Sequence, residues 1–397
     1  MRGKLVLECV GKVGYIRRRW GGGALRPSAS RARIERKTCM AEEKIGEIEF
    51  RPFDRDYERV ARLINETWLE KWRGAMMFQY SPEFLRWNFE GPRIDGDFVQ
   101  DIYSGGRYAG FYAGLYRRFS LSGREVITSL ATFLASVKGV RPGLPLYISR
   151  RDSALMREKG YAAGLQVFDE AFSNLELMKL LARKQKVRVD VVREVDWWYK
   201  IFDVKRLAAC EPLNVIERIF LKFKTGVPPA GPLGEHVRPY KSSDLEACLE
   251  LLNGIEREAR PPYLVRRWDA EELAWQLKYD GVADTLVYES NGRAGGLINF
   301  YRIHFVHRTR EPGAVIDNVC FGDMSGPERR ALLLRALGEF KEQGAVMAGV
   351  MDSPLVDREA LSRVGFVKAR RPMKLIAGVV EPSVSFEGID QCYFDVR

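Results

Sequence analysis

Apolar positions recur with a helical period in two separated stretches of the chain, and the two stretches match. Tyr57, Val60, Ala61, Ile64 and Trp68 stand at i, i+3, i+4, i+7 and i+11, the stripe of an amphipathic helix. Leu245, Cys248, Leu249 and Leu252 repeat that stripe. A short extended run precedes each one, Arg51-Pro52-Phe53 in the first case and Arg238-Pro239-Tyr240 in the second. Asp56 and Asp244 occupy the N-cap positions, where a carboxylate accepts from the free amides of the first turn.

Two more matches follow in the same order. Ile102–Arg107 and Val287–Arg293 lead through Gly105-Gly106 and Asn291-Gly292 into alternating strands, a hairpin pattern whose turn residues tolerate positive φ. Leu144–Lys159 is a helical run stopped by Gly160 and followed by a strand that ends at Asp169. Its counterpart opens with Ser325-Gly326-Pro327-Glu328, a capping box with proline in the first turn. That helix stops at Gly344, and a strand leads on to Asp352. The offset between copies, about 185 residues, is far too long for a solenoid and predicts two homologous domains.

The boundaries that follow are a basic extension over 1–44, a first domain over 45–200 and a second over 235–380. A helical and Pro/Gly-rich linker spans 201–234, and a tail spans 381–397. Each domain runs strand, helices, antiparallel strands, helix, strand, helix, strand. The fold class is α/β (α+β), a mixed and mostly antiparallel twisted sheet flanked by helices, present twice.

This order, with its Arg-Pro-aromatic opening, resembles the GNAT N-acyltransferase superfamily in a tandem arrangement, and the resemblance covers nearly all of 45–380. It implies an acyl-CoA co-substrate, acetyl-CoA or another acyl-CoA, whose pyrophosphate sits on a loop opening a helix. Free amides and the helix dipole favour an anion at such a place. In the first copy Phe133, Leu134, Ala135 and Val137 belong to the strand before that loop, and Val140, Arg141, Gly143 and Leu144 to the loop and helix start. The loop departs from the family pattern: Arg141 to Gly143 is one residue short, and Pro142 and Pro145 each remove an amide donor. The second copy has Asp323 in the corresponding stretch and lacks the basic position, which implies a degenerate unit that shapes the substrate site.

The chemistry implied is direct N-acyl transfer to an amine, on a small molecule or a peptide N-terminus, without a covalent intermediate. It requires a proton acceptor for the amine and an acid for the leaving thiolate. The tyrosine that many family members place four residues before a Gly-Phe pair is replaced by Leu361 ahead of Gly365-Phe366. The remaining candidates are Asp169 and Glu170 at a strand end, and Glu125 before the preceding strand. Two alternatives stand beside this reading: a Fem-like transferase using aminoacyl-tRNA, and a non-catalytic acyl-CoA-binding protein.

Charge narrows the partners. The net charge is +11, but residues 1–40 carry +9 of it, leaving +2 for the rest of the chain. A nearly neutral body argues against nucleic acid as a partner except through the basic extension. Six cysteines without Cys-x-x-Cys spacing argue against a disulfide framework and for a reducing, cytoplasmic setting. His304-x-x-His307 has no neighbouring ligand pattern, and no metal is expected. No apolar run is long enough to span a membrane, and a membrane is not among the expected partners.

Overall fold

The computed structural model describes residues 48–71, 75–140, 143–169, 175–356, 358–369 and 371–395. The first half begins with β1 (Ile48–Pro52), α1 (Tyr57–Lys71), β2 (Met77–Gln79) and α2 (Pro82–Phe89). Then come β3 (Val99–Ser104), β4 (Arg107–Leu121), β5 (Arg124–Ser136), α3 (Leu144–Glu158), β6 (Ala163–Phe168) and α4 (Leu175–Arg183). It closes with β7 (Arg188–Val195) and β8 (Trp197–Ile201), and α5 (Val204–Cys210) and α6 (Val215–Lys222) connect to the second half. There β9 (Val237–Pro239), α7 (Leu245–Glu258), β10 (Tyr263–Arg266), α8 (Ala270–Leu277), β11 (Ala283–Ser290) and β12 (Arg293–Val306) follow. The chain continues through β13 (Arg310–Cys320), α9 (Gly326–Glu342), β14 (Met347–Met351), α10 (Arg358–Arg363), β15 (Val367–Lys368), β16 (Met373–Val379) and β17 (Gln391–Tyr393).

The predicted stripes are core. Tyr57, Val60, Ala61 and Ile64 are buried on α1, as are Cys248 and Leu252 on α7. Both hairpins turn on residues with positive φ, Gly105-Gly106 and Asn291-Gly292. The repeat extends to side chains. Asn65 accepts from the Tyr80 amide and donates to its carbonyl (2.9 and 2.8 Å), and Asn253 does the same for Trp268 (2.9 Å each). Where the halves meet, the Trp87 indole donates to the Trp275 carbonyl (3.1 Å) and the Trp275 indole to the Trp87 carbonyl (2.8 Å). Equivalent residues of α2 and α8 thus bond reciprocally, as a pseudo-twofold axis requires.

One local expectation is corrected. Asp56 caps α1 through the Arg59 amide (2.9 Å). Asp244 makes no side-chain cap bond to its helix. Its carboxylate turns back to the Arg238 guanidinium (2.7 and 2.9 Å) and the Lys241 amide (2.8 Å), because a charged fork outbids a neutral amide.

The sheets do not respect the boundaries at 200 and 380. The first runs β1-β3-β4-β5-β6-β16-β7, and the second β15-β8-β14-β13-β12-β11-β9. So β16, late in the chain, lies between β6 and β7, while β8 lies between β14 and β15. The exchange is symmetric, since β2 pairs with β12 and β10 pairs with β4. Residues 381–395 are built in as well: β17 runs parallel to β10 beside the first sheet.

Candidate cofactor cleft

Strands β5 and β6 are parallel neighbours only from Thr128–Leu130 against Ala163–Leu165. Beyond that they part. The cause lies on the other side of β5: Ala113 faces Phe133 while Gly114 faces Ala131, so Thr132 is an inserted residue. A bulge bends its strand and sharpens its twist. On the β6 side, the edge of 131–136 therefore has no neighbouring strand among the described residues. Helix α1 reaches this edge: the Trp68 indole donates to the Leu134 carbonyl (3.1 Å), and Trp68 stacks on Phe133 at 6.1 Å between ring centroids. Phe133 and Ala135 are buried, whereas Leu134 and Val137 are each 39% exposed. The Thr132 hydroxyl is buried and has no hydrogen-bond partner among the described residues.

Helix α3 opens at the end of the loop after β5. Gly139 has φ 81° and Gly143, the residue before the helix, has φ 115°. Both lie in the left-handed region that glycine adopts without steric cost. Gly143 at the N-cap has no side chain to cap the helix, and the first turn carries no acidic residue. The helix's own first turn thus supplies no charge to offset its dipole. Val140 is partly buried and Leu144 fully buried in one cluster with Ile102, Tyr112 and Ile148. Arg141 lies outside the described residues, as does Glu170. Lys138, exposed, pairs with Glu70 at 2.7 Å.

Of the three acidic candidates, the two among the described residues, Asp169 and Glu125, are not brought together. Asp169 follows β6 directly and is half-buried at the cleft. Glu125 is exposed and sits opposite Ser120, seven residues before Thr132. That is about 20 Å of strand, at the far end of the sheet.

A different acid stands at the apex of the cleft. Asp152 on α3 accepts from the Tyr112 hydroxyl of β4, beside Ser129 of β5. Ser129 faces Gly164, one step from the last β5–β6 pair. Gly114 makes room for the group: a Cβ there would lie 2.3 Å from the Ser129 hydroxyl and 3.1 Å from that of Tyr112. Burial pushes the Asp152 carboxyl up to about 7, with the Tyr112 bond only partly opposing it. Nothing in the spacing of Tyr112, Ser129 and Asp152 announces this cluster; helix packing on the sheet creates it.

The second sheet repeats the construction with another outcome. Strands β13 and β14 pair over Gly313–Ile316 against Met347–Val350, and Asp317 is the inserted residue, since Asn299 faces Asn318 and Phe300 faces Ile316. Here the space is filled by the end of the chain. Phe394 lines, together with Asp317, Val319 and Val350–Ser353, a void of only about 10 Å³. Asp395 locks this segment through Arg266 (2.5 Å) and Arg117 (3.0 Å), all three fully buried, and Arg266 also holds Glu272 at 2.8 Å. Burial and the neighbouring Arg266 push the Arg117 guanidinium down to about 10. Helix α9 is closed too: the Glu328 carboxylate accepts from both the amide and the hydroxyl of Ser325 at 2.7 Å. Of the histidines in His304-x-x-His307, His307 bonds Glu211 (2.8 Å) and His304 lies 3.3 Å from Arg310.

No protein-family model matches the sequence, and no curated protein matches it. Solved structures do. Saccharomyces cerevisiae N-myristoyltransferase with bound myristoyl-CoA superposes with a TM-score of 0.66 at 15% identity, over 84% of this chain and 79% of that one. A second structure of that enzyme with myristoyl-CoA gives 0.66 at 14% identity over 85% of each chain. At this identity the likeness is one of fold. The chain has the tandem, two-unit architecture of the GNAT N-acyltransferase fold, as its internal repeat implies.

Proposed function

We propose that this protein is an acyl-CoA-dependent N-acyltransferase whose co-substrate lies in the cleft between β5 and β6. One observation carries the reading: the strands part at the Thr132 bulge, and an uncapped, acid-free helix start stands at the mouth of the gap. The residues fit an acyl-CoA. The buried Thr132 hydroxyl lacks a partner among the described residues, and the α3 N-terminus offers an anion the dipole field that no side chain of its own uses. The fold neighbour, solved with myristoyl-CoA, supports the same class of co-substrate.

Bound there, an acyl-CoA supplies the activated acyl carbon. The chain's own groups do the rest. Edge amides next to Thr132 face the cleft and donate to the carbonyl oxygen as charge builds on it. Asp169 stands at the end of β6 and takes the proton of the incoming amine. The new C–N bond replaces the C–S bond, and the departing thiolate takes up the proton that the amine gave to Asp169. Asp152 and Tyr112 hold a second proton at the apex, with Asp152 titrating near neutrality. Glu125 takes no part, being at the wrong end of its strand. The acceptor is an amine on a small molecule or a peptide N-terminus. Acetyl-CoA or another acyl-CoA is the co-substrate that the resemblance implies. The second unit carries no co-substrate because its own C-terminal residues fill the equivalent gap, and it flanks the substrate site instead.

Calorimetric titration of the full chain with acetyl-CoA and with myristoyl-CoA tests this. One-site binding of either, followed by thiol release on adding an amine, is the expected result. No heat with either compound would end the proposal.

A further inference from the structure

Helix α6 presents an apolar face to solvent. Val215 is 70% exposed, Ile216 69%, Ile219 55% and Phe223, the residue closing the helix, 85%. These positions run i, i+1, i+4 and i+8, one continuous stripe. The helix is firmly seated. Leu221 is buried beneath it, and a capping box joins Asn214 and Glu217 (2.9 and 2.7 Å). Buried Lys200 ties down the turn after it, donating to the carbonyls of Lys224 (2.6 Å) and Gly226 (2.7 Å). The stripe is therefore a built surface of rigid geometry, and a contiguous exposed apolar patch of this kind marks an interaction site.

Charge identifies the partner. Between residues 204 and 228 the carboxylates are Glu211 and Glu217, and both are buried, one against His307 and the other in the capping box. The exposed charges of the same stretch, Lys205, Arg206, Arg218 and Lys222, are all positive. Large apolar side chains on a helix whose own exposed charges, Arg218 and Lys222, are both positive suit a helix lying in the headgroup region of an anionic bilayer. Among the described residues no helix is long and apolar enough to cross a membrane, and this arrangement needs none.

We infer that α6 docks the protein on an anionic lipid surface, with Ile216, Ile219 and Phe223 entering the acyl boundary and Arg218 and Lys222 at the headgroups. The inference is independent of the proposed chemistry. Co-sedimentation of the full chain with vesicles of phosphatidylcholine containing about one third phosphatidylserine tests it. The expected result is binding to these vesicles and not to phosphatidylcholine alone, with slowed amide exchange across α6. In the double variant Ile216→Glu/Phe223→Glu, binding should weaken about tenfold or more. Both sites are exposed, so the variant should unfold at the wild-type midpoint. Undiminished vesicle binding by the variant would overturn the inference, because lipid would then be held elsewhere, as by the basic residues 1–40. A wild-type dimer that the variant dissociates, without vesicle binding, would also overturn it and assign the face to a second copy of the chain.

Discussion

The cleft between β5 and β6 and the one between β13 and β14 are built the same way. Each begins where a parallel pair ends, beside a strand carrying one inserted residue, Thr132 in one and Asp317 in the other. They differ in what fills them. The first is edged by the exposed Leu134 and Val137 and precedes a helix whose first turn has no acid. The second holds Phe394 and faces a helix start already occupied by Glu328. Strand order therefore does not decide binding capacity. Occupancy by the chain itself does, and a duplicated fold can retire one of its two sites by laying its own terminus there.

The largest effect that bears on this contrast is at the plug. Asp395→Ala leaves the buried Arg117 and Arg266 without their shared carboxylate, and should cost about 3–5 kcal/mol in urea unfolding. A loss near zero would mean that the segment is not locked. At the open cleft, Asp152→Asn reads the apex. The folded carboxyl keeps its proton up to about pH 7, while the unfolded one releases it near 3.8. Wild-type stability from this group therefore falls as pH rises between those values and stays low above them. The variant carries no such dependence, so its stability relative to wild type should rise by about 4 kcal/mol between pH 4 and pH 8.

A third change makes the open cleft resemble the closed one. Pro145→Glu sets a carboxylate in the first turn of α3, as Glu328 does in α9. Acyl-CoA affinity should fall about tenfold in calorimetry while the thermal midpoint holds or rises, because an acid suits a helix start. Unchanged affinity would separate the co-substrate from this helix. The smallest effect concerns the paired aspartates. Asp56→Asn should be nearly neutral, since asparagine caps as well as aspartate. Asp244→Asn should cost about 1 kcal/mol, since its partner is the charged Arg238. Equal costs in thermal melts would mean that both residues do one job.

What was legible in the sequence was local. The stripes on α1 and α7, the Gly-Gly and Asn-Gly turns and the Ser325–Glu328 box are each fixed by neighbours within a few residues. The doubling showed because those signals recur in order. The cleft strand and its loop could be placed for the same reason. Strand partnership could not. Met373–Val379 is an apolar run that suits the middle of either sheet, and only three-dimensional closure sends it between β6 and β7. Gln391–Asp395 reads as a tail because five residues carry no period, yet Asp395 is among the most buried carboxylates of the molecule. The apex cluster was invisible because Tyr112, Ser129 and Asp152 come from three elements, and Asp152 lies on the face of α3 that meets the sheet.

The exchanged strands also dictate an order of events at synthesis. The first sheet contains residues 373–379, so it cannot close until that strand has left the ribosome. Until then the edges of β6 and β7 wait unpaired. Neither half is a module that can be cut out and expressed alone, since each would lack an inner strand held by the other. A cut between α6 and β9 should instead leave two fragments that stay together and refold only in each other's presence. For a lineage that began with one unit copied, this trade of strands turns a pair of neighbours into a single inheritable object, after which neither copy can be lost.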